Sequence, residues 1–253
     1  MKKLTYLSII LIQVLMIACD SQDAWDCIKS SGSTIQEEVD LKFFDKLDVR
    51  HRVQLIVKKG EEQKVILETG INLQPKISLS VNDSVLKIQN DNVCNLIRDY
   101  GLTKVYVTSP NIKEIRNGSG LAVLSEGVLA YPNLDLISND ASLEEDILTV
   151  GDFKLNIDVN NLNIMANGNS NFFIEGKTNQ AFIGFFAGNS RFEGLDLTIQ
   201  DLRFFHRSSN KIFVNPQNSI TGKILSVGDV ISIFEPQNVE VEELYKGRLI
   251  FDN

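Results

Sequence analysis

Two similar stretches decide the fold of this chain: residues 167–173, Asn-Gly-Asn-Ser-Asn-Phe-Phe, and residues 187–193, Ala-Gly-Asn-Ser-Arg-Phe-Glu. In both, a short polar corner is followed by a run that starts with phenylalanine. Related corners begin at Asn117, Asn139, Asn167, Ala187, Arg207 and Val227; the first two steps are longer, and the last three are equal. A repeat of about 20 residues is typical of a solenoid, in which each coil packs on its neighbours.

Apolar residues recur at fixed distances from these corners. Three residues before the corner glycine position stand Ile115, Ile137, Met165, Phe185, Phe205 and Leu225. Six residues before it stand Ile112, Leu134, Leu162, Phe182, Leu202 and Gly222. A third column follows the corner, with Phe172, Phe192 and Ile212, and is broken by Ser232. Because a parallel β-helix buries stacked apolar ladders between coils, we predict that all three columns face inward, with a bend between the first two.

These columns and the scarcity of helical signals predict an all-β chain, a parallel β-helix with coils of about 20 residues. A polar column between the apolar ones, interrupted only by Ile183, agrees with this prediction. We expect one domain over residues 41–253, and a β-sandwich remains the alternative fold.

The first eighteen residues predict a lipoprotein signal peptide. Lys2 and Lys3 precede a mostly apolar run that is too short to span a bilayer and ends at Ala18. The sequence Leu15-Met16-Ile17-Ala18-Cys19 resembles a bacterial lipobox, so we expect cleavage after residue 18 and lipidation of Cys19. An ordinary secretion signal is the alternative. Residues 19–40 are polar and acidic, which predicts a tether between the membrane and the domain.

Charge and cysteine content restrict the partners and the compartment. Loss of Lys2 and Lys3 with the leader reduces 25 basic residues to 23 against 33 acidic ones, so the mature chain carries a net charge of −10. Such a surface repels nucleic acid. In an oxidising compartment we expect Cys27 and Cys94 to form a disulfide; two free thiols that bind a metal are the weaker interpretation.

The sequence offers no recognisable catalytic motif, and the two histidines, His51 and His206, lie far apart. We therefore expect no enzymatic activity and no cofactor. Glu144, Glu145 and Asp146 could hold Ca²⁺, although a solvated loop explains them better, and we predict no metal site. His206 with Arg203 and Arg207 forms a basic spot that a solvated edge also explains.

Alternation of side chains along a strand predicts one candidate binding face. If Phe172 and Ile212 point inward, then Phe173 and Phe213 point outward, two coils or about 10 Å apart. Arg191 and Lys211 would lie on the same face. Exposed aromatic rings beside basic groups form a platform for a sugar or a protein loop. The alternative is that other strands or a second subunit cover these rings.

Several structural motifs resemble a known family. They are Phe44-x-x-Leu47-x-Val49, Val53-x-Leu55-x-Val57-x-x-Gly60, Val65-x-Leu67-x-Thr69-Gly70, Cys94-Asn95-x-x-Arg98-Asp99-Tyr100-Gly101, residues 104–112 and Glu114-Ile115-Arg116-Asn117-Gly118-Ser119-Gly120. Together they resemble the bacterial head GIN domain, described as a "putative autotransporter adhesin". The resemblance covers residues 40 to 250 or so and implies a right-handed β-helix on an exported, lipid-anchored protein, with no catalytic residues to carry over.

From these observations we predict a cell-envelope binding or adhesion module held at the membrane by its N-terminal lipid. The outer membrane or the cell surface is expected rather than the inner membrane. A structural scaffold lipoprotein and a polysaccharide-degrading β-helix enzyme are the two alternative functions. The ligand, a glycan or a protein, is not indicated by any motif.

Overall fold

The computed structural model of the chain describes residues 29–92, 101–140 and 147–252. The strands are β1 (Thr34–Glu38), β2 (Lys46–Arg50), β3 (Gln54–Lys59), β4 (Lys64–Gly70), β5 (Ile77–Asn82), β6 (Val85–Asn90), β7 (Lys104–Ser109), β8 (Glu114–Gly118), β9 (Val123–Ser138), β10 (Phe153–Ala166), β11 (Asn171–Phe185), β12 (Arg191–His206), β13 (Ile212–Ile224), β14 (Val230–Ser232), β15 (Asn238–Glu243) and β16 (Leu249–Phe251). All belong to one sheet of 16 strands, which confirms the predicted all-β class. Over these residues, a 3₁₀ turn at Gln74–Lys76 is the only helical element.

In the part of the chain that the structure describes, no helix has both the length and the apolar character that crossing a membrane requires.

Strands β9 to β16 form what we name the parallel stack. Strands β9, β10, β11, β12 and β13 pair in parallel in sequence order, and β14 to β16 continue the pairing. The five long strands contain 13 to 16 residues each. Between β10 and β13, consecutive strands are joined by only four or five residues. Each long strand therefore lies directly on the one before it.

One inward column runs through the whole stack. Its paired residues are Val123, Phe153, Phe172, Phe192, Ile212 and Val230, all buried. The rings of Phe153 and Phe172 stack with centroids 4.9 Å apart. The predicted column of Phe172, Phe192 and Ile212 is confirmed, and Val230 rather than Ser232 continues it.

The other two predicted columns are wrong by one residue in part of the stack. Phe185 is buried, as predicted, but it pairs with Ala166 and His206, whereas Met165 and Phe205 both pair with Gly184 and are half-buried.

The reason for this error is that the spacing of paired residues is not constant. Ala181, the partner of Leu162, comes one position earlier in the chain than a constant repeat would place it. Leu202, the partner of Ala181, comes one position later than such a repeat would place it. A slip of one residue moves a side chain to the opposite face of a sheet.

The predicted bend is also unnecessary. Leu162, Ile164 and Ala166 alternate inward along β10 at the ordinary period of two.

The N-terminal region, strands β1 to β8, combines parallel and antiparallel pairs. Strands β5 and β6 form a hairpin, and β4 is antiparallel to both β1 and β7. Strands β3 and β8 each pair in parallel with β9, so this region covers the first strand of the stack. Strand β1 lies within residues 19–40, the segment predicted as a tether. This part of the segment is attached to the domain as an edge strand.

The signal peptide at 1–18, Cys19, the Cys27–Cys94 pair and the acidic run Glu144–Asp146 lie outside the described residues.

Candidate functional site

A row of outward side chains crosses the stack just beyond the inward phenylalanine column. Lys154, Phe173, Glu193 and Phe213 pair side by side on four successive strands. They point outward because their chain neighbours Phe153, Phe172, Phe192 and Ile212 point inward. Phe173 is 39% exposed and Phe213 is half-buried. The predicted orientation of both phenylalanines is therefore observed.

Two irregularities in strand pairing make a groove beside Phe173. Residues 125–127 of β9 lie opposite a single residue of β10, Leu155. Similarly, residues 194–196 of β12 lie opposite only two residues of β11. Extra residues bulge from a sheet and re-aim its side chains. The two bulges border an open groove of about 620 Å³ whose lining includes Phe173.

The bulge in β9 depends on one glycine. Gly127 has φ +75°, a left-handed conformation that side chains disfavour, and a Cβ atom there would meet nothing within 4 Å. The residue thus serves the backbone turn and leaves the groove open on that side.

The groove combines an aromatic ring with charged and polar groups. The Lys154 Nζ lies 5.6 Å from the centroid of the Phe173 ring. Asn156 Nδ2 donates to Glu175 Oε1 at 2.7 Å on one wall. Leu195, 36% exposed, and Asp196 form another part of the lining. Such a surface can hold a ligand that offers an apolar face together with hydrogen-bond donors.

Phe213 and Arg191 form a packed unit next to this groove. The guanidinium carbon of Arg191 lies 4.5 Å from the centroid of the Phe213 ring. Arg191 also donates hydrogen bonds to Glu193 and, at 3.3 Å, to Asn210 Oδ1. Lys211 is exposed immediately before β13. The four predicted binding residues thus lie on one face, but Phe173 presents the open ring, whereas Arg191 covers that of Phe213. Their role in binding stays a prediction.

The basic spot at His206 has a different structure from the one considered above. His206 is fully buried, with its ring 6.2 Å from that of Phe185. Burial disfavours the charged imidazolium and lowers the pKa of His206 to about 4. The residue is therefore neutral at pH 7 and belongs to the interior, while Arg203 and Arg207 are exposed.

A second outward surface contains Phe182, Phe186, Phe205 and Arg203. The sequence columns placed Phe182 and Phe205 inward, because they assumed a constant spacing between coils. Ile183, the exception in the polar column, was the signal of the shift: Ile183 is buried, and the half-buried Phe182 takes the outward position.

Within the described ranges, no three His, Cys, Asp or Glu side chains come together in a group that could hold a metal ion.

The fold and its outward groove define an all-β protein built on a parallel stack, and comparison with known families assigns it further. The model of the family "Putative auto-transporter adhesin, head GIN domain" matches residues 43–236. The chain belongs to this family, as its motifs indicated. No curated protein matches the sequence.

Solved structures share the fold at low sequence identity. A putative adhesin from Bacteroides fragilis superposes with a TM-score of 0.77 and 19% identity, covering 87% of this chain and 97% of that one. A putative lipid binding protein from Parabacteroides distasonis gives a TM-score of 0.63 and 13% identity over 87% of this chain and 97% of its own. A putative adhesin from Parabacteroides merdae gives a TM-score of 0.60 and 13% identity over 88% of this chain and 97% of its own.

Proposed function

We propose that this protein is a lipid-anchored binding or adhesion module of the cell envelope, without catalytic activity, whose ligand docks in the groove at Phe173. The observation that carries the proposal is the groove itself. Its borders are strand bulges, which are common next to functional sites, and its lining offers an exposed ring beside charged groups. Membership of an adhesin-like family favours the same role.

We further infer that the parallel stack is a right-handed β-helix rather than part of a β-sandwich. A fully extended strand of 14 residues would be about 46 Å long, whereas a connection of four residues reaches about 14 Å at most. Parallel neighbours joined by such short connections can form only if each strand curls back toward its own start. Parallel crossovers are right-handed in about 98% of cases, which favours that hand.

The lipid anchor places the module at the outer membrane or the cell surface. Support comes from the lipobox-like sequence that ends at Cys19 and from the acidic surface, which offers no second means of attachment to anionic lipid. Replacing Cys19 by Ser should release folded protein from the membrane fraction. A variant that stays in the membrane pellet would contradict the anchor, and protease treatment of intact cells would separate surface from periplasmic display.

The binding role is tested with glycan and extracellular-matrix arrays. Phe173→Ala should weaken binding to the captured ligand by about tenfold, the loss expected for one aromatic contact, and should shift the melting temperature by only a few degrees. Phe43→Ala is the matched control, because Phe43 is 66% exposed but lies outside the groove lining.

Two results would count against this assignment. If Phe173→Ala unfolds the protein, the ring belongs to a packed layer and the groove is not a ligand site. If the folded protein binds nothing on either array, a structural scaffold of the envelope becomes the better function.

A further inference from the structure

The second outward surface has an aromatic floor built around one glycine. Gly184 lies between Phe182 and Phe186, and a Cβ atom at that position would come within 2.8 Å of both rings. Its missing side chain lets the rings converge. The ring of Phe186 stacks on that of Phe205, with centroids 5.5 Å apart and planes inclined by 29°. Phe186 is 41% exposed, so the floor faces solvent.

A row of polar side chains on strands β10 to β13 adjoins this floor. Asn161, Gln180, Asp201 and Ser219 pair in register across four strands. Ser219 donates to Asp201 Oδ1 at 2.7 Å. The Gln180 amide offers both a donor and an acceptor. Asn161 Nδ2 already donates to Asn133 Oδ1 at 2.6 Å, which leaves one of its hydrogens and its oxygen for a ligand. The row can therefore pair with hydroxyl groups in either role.

The aromatic and polar halves adjoin each other. The aromatic half is a hollow of about 360 Å³ and the polar half is a hollow of about 440 Å³. Phe182, Arg203 and Thr221 line both. The guanidinium carbon of Arg203 lies 4.8 Å from the centroid of the Phe182 ring, at the junction of the two halves. We name this surface the amide-aromatic groove.

Its charges nearly cancel, although the chain as a whole carries −8. Lys223 Nζ pairs with Glu242 at 3.0 Å, and the remaining charged groups of the lining are Asp201, Arg203 and Glu240. Two basic and three acidic side chains give the groove lining a net charge of −1. A strongly charged ligand of either sign therefore gains little here.

The backbone hydrogen-bonding groups of the strands under the groove are already paired within the sheet. Strands β11 and β12 each pair with a strand on both sides where the groove crosses them. An extended peptide cannot add to a sheet that presents no free edge, so the side chains alone must recognise the ligand.

We propose that the amide-aromatic groove binds a neutral saccharide chain. A sugar ring has an apolar face that stacks on an aromatic floor and a rim of hydroxyl groups that pairs with amides. Phe186 and Phe205 supply the floor, and Asn161 and Gln180 supply the amides. This inference goes beyond the proposed function, because it names a second site and its ligand class and does not require the groove at Phe173 to bind anything.

The test is calorimetric titration of the protein with neutral β-gluco-, manno- and chito-oligosaccharides at up to about 5 mM, the weak end of specific affinity. At least one should bind. Phe186→Ala should weaken that binding by about tenfold, and Gln180→Ala should weaken it by a smaller factor with the fold intact. Phe173→Ala, in the other groove, should leave it unchanged.

Oligogalacturonate and heparin oligosaccharides serve as acidic probes. The proposal is overturned if no neutral probe binds, or if an acidic probe binds more tightly than every neutral one. It is also overturned if binding survives both Phe186→Ala and Gln180→Ala, or if Phe173→Ala removes it. Should Phe186→Ala prove unstable, Gln180→Ala with an unchanged melting temperature decides alone. If Phe173→Ala does not weaken binding on the arrays, the proposed function fails but these outcomes are unaffected.

Discussion

The parallel stack and the N-terminal region share one hydrophobic core but differ in the side-chain contacts that accompany it. In the stack, side chains pack on their equivalents in the neighbouring strand, as Phe153 packs on Phe172. In the N-terminal region, antiparallel pairs bring polar partners together, as where Lys104 Nζ lies 2.8 Å from Glu68 Oε1. A buried ladder loses more when one member is removed than an exposed polar pair does. The difference predicts where substitutions are costly.

The largest effect is expected in the interior of the stack. Phe185→Ala should lower the free energy of unfolding by about 3–5 kcal/mol, because its ring packs against those of Phe172, at 5.8 Å, and His206, at 6.2 Å. Urea denaturation followed by circular dichroism measures the loss. Phe205→Ala is the matched control. Because Phe205 is half-buried on the outward side, this variant should lower the free energy of unfolding by less than about 2 kcal/mol. Equal losses would mean that both rings share one inward column.

Acid should weaken the stack through His206. Its pKa is about 4 in the folded protein against an ordinary value of 6.5, so the unfolded chain binds more protons between these values. The contribution of neutral His206 to the free energy of unfolding is therefore fully present above about pH 6.5. The free energy of unfolding falls by about 3 kcal/mol as the pH drops to about 4. Denaturation of the wild type and His206→Leu across this range isolates the contribution. Parallel stability curves for the two proteins would show that His206 is not the sensitive group.

A comparison of two glycines separates the cost of close packing from the cost of backbone strain. Gly188 lies in a corner that packs on the preceding corner, and Gly127 lies in an open bulge. Gly188 and Gly127 have φ values of +78° and +75°, so alanine is strained equally at both. A Cβ at Gly188 would also lie 2.2 Å from the carbonyl oxygen of Gly168, whereas one at Gly127 meets nothing within 4 Å. We expect losses of about 2–4 kcal/mol for Gly188→Ala and about 1 kcal/mol for Gly127→Ala. Thermal denaturation of both variants checks the order, and equal losses would argue against close contact between neighbouring corners.

The smallest effect is expected at the polar pair of the N-terminal region. The hydrogen bond from Lys104 lowers the pKa of Glu68 and raises that of Lys104. The carboxylate's contribution is present above pH 4.5, its ordinary pKa, and is lost as the pH falls. Because the pair is partly exposed, a double-mutant cycle of Glu68→Gln and Lys104→Met should give a coupling below about 1 kcal/mol. Raising the salt concentration should reduce this coupling further. A coupling that salt leaves unchanged would indicate that the pair is less accessible to solvent.

The sequence predicted the fold class and one inward column correctly because these depend on residue type. Phe172, Phe192 and Ile212 follow similar corners at equal intervals along the chain, so their alignment required no knowledge of the strands. The same assumption failed at Phe182 and Phe205, where the spacing changes. The polar edge strand β1 was missed for another reason: four of its five residues are exposed, so it carries no alternating pattern.

The candidate site could be predicted only in part. Alternation alone placed Phe173 and Phe213 outward. Neither the bulges that open the groove beside Phe173 nor the stacking of Arg191 on Phe213 has a sequence signature. Gly184 is similar, because a glycine in a strand does not reveal that two rings meet over it.

The sequence by itself therefore determined that this is an all-β protein of the head GIN family, because hydrophobic periodicity and corner residues are local properties. The tertiary structure decided which aromatic rings are buried and which are exposed. That choice depends on register between neighbouring strands, and one residue gained or lost between two paired positions reverses it for every side chain up to the next bulge. The bulges that shift the register also border the groove at Phe173.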